Sequence, residues 1–202
     1  FEKHFVHDFY DNKAKEFNIT RQRHWPKTKE FLDKYYKGGI VLDNGCGNGR
    51  CIINKNIIGL DYSLNLLKEA KIKKDNVLLR GDGLDLPFLD NSFDLIMSIA
   101  VIHHFSTKER RNKALKEIKR VLKPKGKCLM YVWDEETKYK SKFKPINNSN
   151  NVKDYFVLWN KEIKRYYYLF DLKELKTFCE EMDFKIIEIG KEQESLYVIM
   201  EK

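Results

Sequence analysis

The sequence predicts an α/β fold with a seven-stranded, mostly parallel sheet, helices on both faces and a C-terminal antiparallel β-hairpin. Short apolar runs alternate with segments of helical periodicity, which is typical of β-α units. The first run ends in a glycine cluster at residues 43–49, and the last two runs are separated by a short acidic loop. Successive β-α steps give right-handed crossovers and therefore parallel strands, whereas the short loop favours antiparallel neighbours.

The first half of the chain is predicted to hold three helices and four strands. Pro26 suits the first turn of a helix, and the Ser63 hydroxyl can cap another. The predicted helices are 4–17, 26–36 and 64–73. The buried side of the third helix is expected to carry Leu64, Leu67 and Ala70 or Ile72. The predicted strands are 40–42, 57–60, 77–79 and 93–98.

The second half adds two helices and three strands. Ser106 or Thr107 opens a helix that ends near Leu122, before Pro124 and Gly126. Its buried face is expected to carry Ala114, Leu115, Ile118, Val121 and Leu122. Asp171 caps the last helix, which runs to about residue 182. The predicted strands are 127–133, 184–189 and 196–200, and the polar segment 134–151 is predicted to be a long mobile loop.

Composition points to a folded protein. With 202 residues, 42% apolar and 34% charged, one domain over residues 1–202 is expected. The longest nearly apolar run, 95–102, is far shorter than the roughly 20 residues of a membrane helix, so no membrane partner is expected. The four cysteines form no CxxC pair, which favours reduced thiols and argues against a metal site. No secretory signal is visible, and we expect a cytoplasmic location, with the nucleus as a second one.

The positive charge is unevenly distributed. The net charge is +9, of which +7 belongs to residues 101–202. The segment 108–127 alone holds ten basic residues and two acidic ones. Such a stripe is typical of a surface that binds a polyanion, nucleic acid above all. A solvated helix face explains it equally well, so charge alone does not decide between the two.

The glycine cluster is the strongest local signal. The strand at 40–42 runs into the heptapeptide DNGCGNG at 43–49, whose G-x-G-x-G spacing differs from the G-x-G-x-x-G of dinucleotide enzymes. Glycines allow a sharp turn and a close approach of the backbone to a ligand. Asp43, Asp61 and Asp82 each follow a predicted strand, where a carboxylate can hold ribose hydroxyls. The alternative is a glycine turn that binds nothing, and three acidic residues in register argue against it.

This D-x-G-C-G-x-G pattern resembles the class I S-adenosylmethionine-dependent methyltransferases, which have a Rossmann-like α/β fold. The resemblance covers nearly the whole chain and implies S-adenosyl-L-methionine as the cofactor. It places Asp43, Gly45 and Gly49 around the methionine part, Asp61 at the ribose, and Asp82 with Gly83 at the adenine. The cofactor-binding residues implied in this way are Asp43, Gly45, Cys46, Gly47, Asn48, Gly49, Asp61, Tyr62, Asp82, Gly83 and Ile99.

Further segments resemble one family within that superfamily, the eukaryotic tRNA methyltransferases that esterify 5-carboxymethyluridine at the wobble position of the anticodon. They are YD at 10–11, TR at 20–21, WP at 25–26, LPF at 86–88, SIAVIHH at 98–104, YVW at 131–133 and RYY at 165–167. The resemblance implies the tRNA anticodon stem-loop as substrate and a small zinc-binding activator protein as partner. The sequence departs from the family in its short Lys- and Asn-rich segment 134–151 and at Asn44, where a small apolar residue is commoner.

Methylation of a carboxylate requires positioning more than proton transfer. The acceptor is already ionised near neutral pH, so no strong general base is needed, and alignment in a water-poor site can supply up to roughly 7–11 kcal/mol. A cationic anchor must leave one oxygen free, because excess stabilisation of the carboxylate slows the reaction. Strand ends and aromatic–arginine neighbours, which suit an extruded base, indicate the candidate residues. The candidate catalytic residues are Tyr10, Arg21, His103, Trp133 and Arg165.

Each catalytic candidate has a structural alternative. One of His103 and His104 is expected to be a hydrogen-bonded core residue, and we favour His103 for the site. Trp133 can be a hydrophobic wall, and Arg165 can simply pair with Glu162. Tyr10 can cover the cofactor instead of touching RNA.

The third strand, 77–79, is expected at one edge of the sheet in this strand order. An exposed apolar edge with free backbone groups invites pairing, so a strand of the activator protein can bind there, although a terminal helix could also cover it. Two other functions compete with tRNA methylation. One is methylation of a small quinone- or sterol-type molecule, and the other is a non-catalytic domain that binds tRNA. The uneven charge and the three acidic residues argue against them.

Overall fold

The computed structural model describes residues 1–20, 25–146, 153–160 and 162–202. Within these ranges a seven-stranded sheet has the order β3-β2-β1-β4-β5-β10-β9. Its strands are β1 (Val41–Asn44), β2 (Ile57–Asp61), β3 (Leu78–Arg80), β4 (Phe93–Ile99), β5 (Leu122–Trp133), β9 (Lys185–Glu192) and β10 (Ser195–Glu201). The first five strands are parallel, and β10 is antiparallel to both β5 and β9. The predicted sheet and hairpin are therefore present.

Six α-helices occur in the described part of the chain. They are α1 (Asp8–Asn12), α2 (Ala14–Thr20), α3 (Pro26–Tyr35), α4 (Leu64–Lys73), α5 (Lys108–Val121) and α6 (Leu172–Glu180). The single helix predicted over 4–17 is wrong, because a π-helical turn at Lys3–His7 precedes α1 and Lys13 interrupts the two helices that follow. The predicted caps are correct: the side chains of Ser63, Thr107 and Asp171 accept hydrogen bonds from the first turns of α4, α5 and α6.

The buried face of α4 differs from the predicted one. Leu66, Leu67 and Ala70 are buried, whereas Leu64 and Ile72 are 42% and 77% exposed. Residues three and four positions apart lie on the same side of a helix, so Leu66 and Leu67 each share a side with Ala70, and the core covers this side. The α5 face is as predicted, with Ala114, Leu115, Ile118 and Val121 fully buried.

A second, three-stranded antiparallel sheet was not predicted. It consists of β6 (Phe143–Pro145), β7 (Asp154–Trp159) and β8 (Ile163–Tyr168), in the order β6-β7-β8. The prediction of a long loop over 134–151 is therefore wrong for its described part, which also contains a 3₁₀ turn at Lys140–Lys142; residues 147–151 lie outside the described ranges. The polar composition concealed β6, because lysines lie on both sides of Phe143.

The alternation of β8 decides what each of its residues does. Tyr166 and Tyr168 face the main hydrophobic core, while Tyr167 packs with Phe143 and Val157 in a separate cluster. Arg165 shares the Tyr167 side, because side chains two residues apart in a strand point the same way. The second sheet therefore packs on the main core with one face and carries Arg165 and Tyr167 on the other.

The edge position of β3 is confirmed by the strand order. Val77, which precedes β3, is 57% exposed. None of the helices in the described ranges is long and apolar enough to cross a membrane. In the same ranges, histidine, cysteine and acidic side chains form no group of three or more that could hold a metal ion.

Candidate active site

A cavity of about 1240 Å³ lies at the carboxyl ends of the parallel strands, between the main sheet, the N-terminal segment and the second sheet. This is where ligands bind in open α/β sheets. The predicted site residues that line it are Tyr10, Asp43, Gly45, Cys46, Gly47, Asn48, Asp61, Tyr62, Asp82, Gly83, Ile99, His103, Trp133 and Arg165. Gly49 is not among the lining residues, and Arg21 lies outside the described residues.

The glycine loop is built from left-handed backbone. Gly45 has φ +83°, and the backbone N–H groups of Gly45 and Cys46 both donate to the Leu60 carbonyl, at 2.7 and 2.9 Å. A Cβ on Gly45 would come within 2.2 Å of Val101 Cγ2, so a side chain is excluded by both conformation and space. Gly49, at φ +73°, packs against Ala70 instead, and shapes the turn without lining the cavity.

Asp61 at the end of β2 is held by the same loop. Its carboxylate accepts hydrogen bonds from the backbone N–H groups of Gly47 and Ser63, at 2.7 and 2.9 Å. These bonds fix the side chain in the cavity wall, while burial raises the pKa of Asp61. The remaining lone pairs of such a carboxylate can receive the hydroxyl groups of a ribose.

Asp43 provides the test of whether the cofactor fits. Its side chain is buried, and Oδ2 has no hydrogen-bond partner within the described ranges. Burial raises the pKa of Asp43 to about 7, although Arg50 nearby acts in the opposite direction. A buried carboxyl oxygen without a partner beside a cavity suits a cationic ligand. The arrangement therefore fits the positively charged S-adenosyl-L-methionine.

The third acidic position completes this half of the cavity. Asp82 Oδ1 accepts a hydrogen bond of 2.9 Å from the Leu84 backbone N–H. Across from it, the ring of Tyr62 stacks on His7 with 3.8 Å between the ring centroids. His7 was not predicted as a site residue, because no sequence motif links the N-terminal turn to β2. The flat aromatic surface near Asp82 suits a planar base such as adenine.

His103 lies in the other half of the cavity, in a short 3₁₀ turn after β4, Ile102–His104. Its Nδ1 accepts a hydrogen bond of 3.3 Å from the Trp133 backbone N–H, so in the neutral ring the proton is on Nε2. Within the described part of the chain Nε2 has no partner. Burial holds the pKa of His103 well below its usual range. His103 therefore offers a neutral N–H donor at the cavity wall and is a poor general base.

His104 has the structural role expected of one of the two histidines. Its Nδ1 donates to the Tyr166 carbonyl at 2.9 Å, and the Tyr10 hydroxyl lies 2.8 Å from Nε2. Because a carbonyl only accepts, Nδ1 carries the proton and Nε2 accepts from Tyr10. Burial lowers the pKa of His104 to about 3, so the ring stays neutral. This geometry supports the choice of His103 for the site and ties Tyr10 to the wall.

None of the ion pairs in the described ranges includes Arg165, so the alternative of a pair with Glu162 is wrong. The residue is only 6% exposed. Its guanidinium carbon lies 4.8 Å from the ring centroid of Phe9 and 5.1 and 5.3 Å from those of Trp159 and Tyr167. Nε has no hydrogen-bond acceptor there either. A buried cation held by aromatic faces and lining a cavity is suited to bind an anion.

Aromatic side chains complete the acceptor half. Trp133 contacts Phe143 and the edge of Tyr167, with centroid separations of 5.5 and 6.3 Å, so it forms part of the wall. Four further residues that were not predicted also line the cavity: Lys138, Lys142, Phe143 and Trp159. The alternation of Tyr155, Val157 and Trp159 is the signal that could have revealed this face.

Comparisons with known proteins agree with this geometry. A family model described as a methyltransferase domain matches residues 42–130. A methyltransferase candidate from Encephalitozoon cuniculi is 48% identical, with 100% of this chain and 97% of that protein covered. The tRNA (carboxymethyluridine(34)-5-O)-methyltransferase of Schizosaccharomyces pombe is 34% identical, with 100% and 98% covered.

A solved structure gives the same fold at low identity. It is the complex between the Haloferax volcanii Trm112 methyltransferase activator and a candidate methyltransferase, with a TM-score of 0.77, 20% identity, and 97% of this chain and 96% of that chain covered. The predicted α/β methyltransferase fold and the predicted cofactor, S-adenosyl-L-methionine, are thereby confirmed. On the strength of the glycine loop, the sheet and relatives that match from end to end, the chain belongs to the class I S-adenosylmethionine-dependent methyltransferases.

Proposed function

We propose that this methyltransferase esterifies the carboxylate of 5-carboxymethyluridine at the wobble position of a tRNA anticodon. The observation that carries the proposal is Arg165, a buried guanidinium that lines the cavity and has no acidic partner in the described ranges. A neutral acceptor would leave this cation without an anion, whereas a carboxylate would pair with it. A relative similar over its full length is named for this reaction.

The residues of the acceptor half suit a carboxylate nucleophile. When bound, S-adenosyl-L-methionine supplies an electrophilic methyl group. Arg165 and the Nε2–H of His103 would orient the carboxylate and hold one of its oxygens, leaving the other free to attack. Because Arg165 is shared among the π faces of Phe9, Trp159 and Tyr167, its attraction for the carboxylate is moderated, which limits ground-state stabilisation.

No proton has to be removed from the acceptor, which agrees with the low basicity of the two histidines in the acceptor half. His103 and His104 are both neutral, since burial lowers the pKa of each. The indole rings of Trp133 and Trp159 would bind a uracil ring lifted out of the anticodon stack. Tyr10, held by His104, would fix the N-terminal segment across the cavity.

The test is transfer of labelled methyl groups from S-adenosyl-L-methionine to tRNA from cells that lack the modification. We expect label that is released by mild alkali, because a methyl ester is hydrolysed whereas methyl groups on ring nitrogen or ribose persist. Alkali-stable label would contradict the ester. Label confined to lipid extracts would instead support a small-molecule acceptor, and no label with an activator protein present would support a non-catalytic tRNA-binding domain.

We also propose that a small zinc-binding activator protein pairs with the free edge of β3. The apolar residues at that edge and the exposed Val77 would be covered by an added strand. A structural neighbour was solved with the Trm112 activator. We expect the chain alone to be poorly soluble and to bind cofactor weakly, and we expect such a complex to act in the cytoplasm.

Co-purification tests the edge proposal. Val77→Glu should reduce recovery of the activator with the chain, because it places a charge beside the added strand. Leu89→Glu, which changes an apolar side chain that is 83% exposed in a loop, is the matched control and should leave recovery unchanged. A soluble, fully active preparation without any second protein would contradict the proposal.

A further inference from the structure

Most cations of the basic stripe at 108–127 form ion pairs with acidic side chains of the same chain. Six of its cations lie within 3.4 Å of a carboxylate oxygen: Lys108, Arg110, Lys119, Arg120, Lys123 and Lys127. Arg111 is buried, with its guanidinium carbon 3.6 Å from the ring centroid of Tyr168. The lysines that remain are Lys113, Lys116 and Lys125. The paired acids cancel most of the field that the sequence attributes to this stripe.

The stripe also does not line the cavity. Of the cavity-lining residues in the described ranges, none belongs to α5. The buried face of α5 packs on the core, and Arg110 extends to Glu2, where it helps fix the N-terminus with bonds of 2.9 and 2.7 Å. Reversing the charge of Arg110 or Arg111 would therefore perturb the fold as well as the surface, so these two residues cannot report on polyanion binding alone.

A second set of lysines lies at the cavity itself. We call Lys138, Lys140, Lys142 and Lys144 the basic rim; all four are exposed, and Lys138 and Lys142 line the cavity. Lys138 pairs with Glu194 at 3.0 Å. In the described ranges the other three have no carboxylate within ion-pair distance; Lys140 and Lys142 lie over the rings of Tyr155 and Tyr139, at 4.5 and 5.0 Å.

Nearby acids do not neutralise the basic rim, because other lysines occupy them. Lys153 lies 3.0 Å from Glu135, and Lys191 lies 2.5 Å from Asp134 and 3.7 Å from Glu136. An aromatic ring carries no net charge, so it does not cancel the charge of a lysine that lies over it, as a carboxylate would. The rim therefore presents uncancelled positive charge beside the opening through which an acceptor must enter.

We propose that the basic rim binds the phosphates that flank the acceptor nucleotide in the anticodon loop, and that α5 does not. The inference rests on the proposed function. A nucleotide whose base enters the cavity toward Arg165 keeps its own phosphates outside, at the mouth, where Lys140, Lys142 and Lys144 lie. Lysine suits this role, because its mobile ammonium group can follow a flexible single-stranded backbone.

Two variants with the same change in charge test the proposal. The rim variant carries Lys140→Gln, Lys142→Gln and Lys144→Gln. The α5 variant carries Lys113→Gln and Lys116→Gln in α5, together with Lys125→Gln near the start of β5. Binding to an anticodon stem-loop RNA that carries 5-carboxymethyluridine is measured over a range of salt concentrations, with the same partner protein present throughout. We expect the rim variant to bind roughly 10- to 100-fold more weakly and its salt slope to fall by about 2, as for three lost single-strand phosphate contacts.

The α5 variant should bind within twofold of the wild type. Both variants should bind S-adenosylhomocysteine normally, which reports that the fold is intact. The α5 variant should also methylate the free 5-carboxymethyluridine nucleoside, which lacks flanking phosphates, at the wild-type rate. If the wild type methylates the RNA, two results would overturn this inference alone. One is RNA binding by the rim variant that equals wild-type binding, and the other is a larger loss of RNA binding in the α5 variant than in the rim variant. Failure of the wild type to methylate either RNA or nucleoside would overturn the proposed function and this inference with it.

Discussion

The cofactor half and the acceptor half of the cavity are constructed from different parts of the chain. The cofactor half uses backbone: the turn at Gly45 and Gly47 and the N–H groups that hold Asp61. The acceptor half uses side chains from distant segments, chiefly His103 and Arg165. The first depends on conformations that few residues can adopt, and the second on charges and protonation states. Substitutions in the cofactor half should therefore impair folding and cofactor binding, whereas substitutions in the acceptor half should impair methyl transfer.

The largest effect is expected in the cofactor half, from Gly45→Ala. The new Cβ would lie 2.2 Å from Val101 Cγ2, on a residue with φ +83°. Strain and overpacking together should cost about 2–5 kcal/mol and abolish cofactor binding. Thermal unfolding and calorimetry with S-adenosylhomocysteine measure the two losses.

Gly38→Ala is the control for that change. Gly38 also has a positive φ, +91°, but a Cβ there meets nothing within 4 Å. It should lose only about 1 kcal/mol of stability and keep cofactor affinity. If the two variants behave alike, the contact with Val101 is not what requires glycine at position 45.

The second-largest effect is expected from Arg165→Gln in the acceptor half. Removing the buried cation should lower kcat/KM for tRNA by roughly 10²- to 10³-fold, because the carboxylate loses its charged partner. Cofactor affinity should stay within twofold. Lys164→Gln, on the opposite side of the same strand, is the matched loss of charge and should leave kcat/KM unchanged; an equal loss in both variants would indicate a general charge effect.

Cofactor affinity should depend on pH through Asp43. Its pKa, raised to about 7 by burial, leaves the side chain largely neutral below that pH, whereas a cationic ligand favours the ionised form. The affinity for S-adenosyl-L-methionine should therefore rise with pH and level off above 7, by at most about tenfold per pH unit. Calorimetry at pH 6, 7 and 8 measures the slope. Asp43→Asn should bind about tenfold more weakly at pH 8 and show no slope.

The smallest effect is expected from pH in the acceptor half. With the pKa of His103 held well below its usual range, its ring stays neutral between pH 6 and 8. At saturating cofactor, kcat for methyl transfer should vary by less than about twofold over that range, provided that chemistry limits the rate. A limb with an apparent pKa near 6.5 would contradict the assignment of His103 as a neutral donor, and His103→Gln would then identify the titrating group.

The same division explains what could be predicted from the sequence. The cofactor half follows short contiguous motifs, and the structure brings Asp43, Asp61 and the glycine turn together at the cavity, as these motifs predict. The second sheet was missed because β6 is three residues long and surrounded by lysines. His7 and Trp159 enter the cavity through tertiary packing, which no local pattern encodes. That Arg165 has no acidic partner in the described ranges also depends on which residues pack around it, and the local sequence does not encode this.

The aromatic enclosure of Arg165 affects when water is removed from the site. Phe9, Trp159 and Tyr167 keep this guanidinium largely out of solvent before any acceptor arrives. The dehydration of the cation is therefore completed once, during folding, and is not repeated at every turnover. An incoming carboxylate therefore has to lose only its own hydration shell. Because charges interact more strongly where water is excluded, Arg165 then holds the two carboxylate oxygens in a defined orientation.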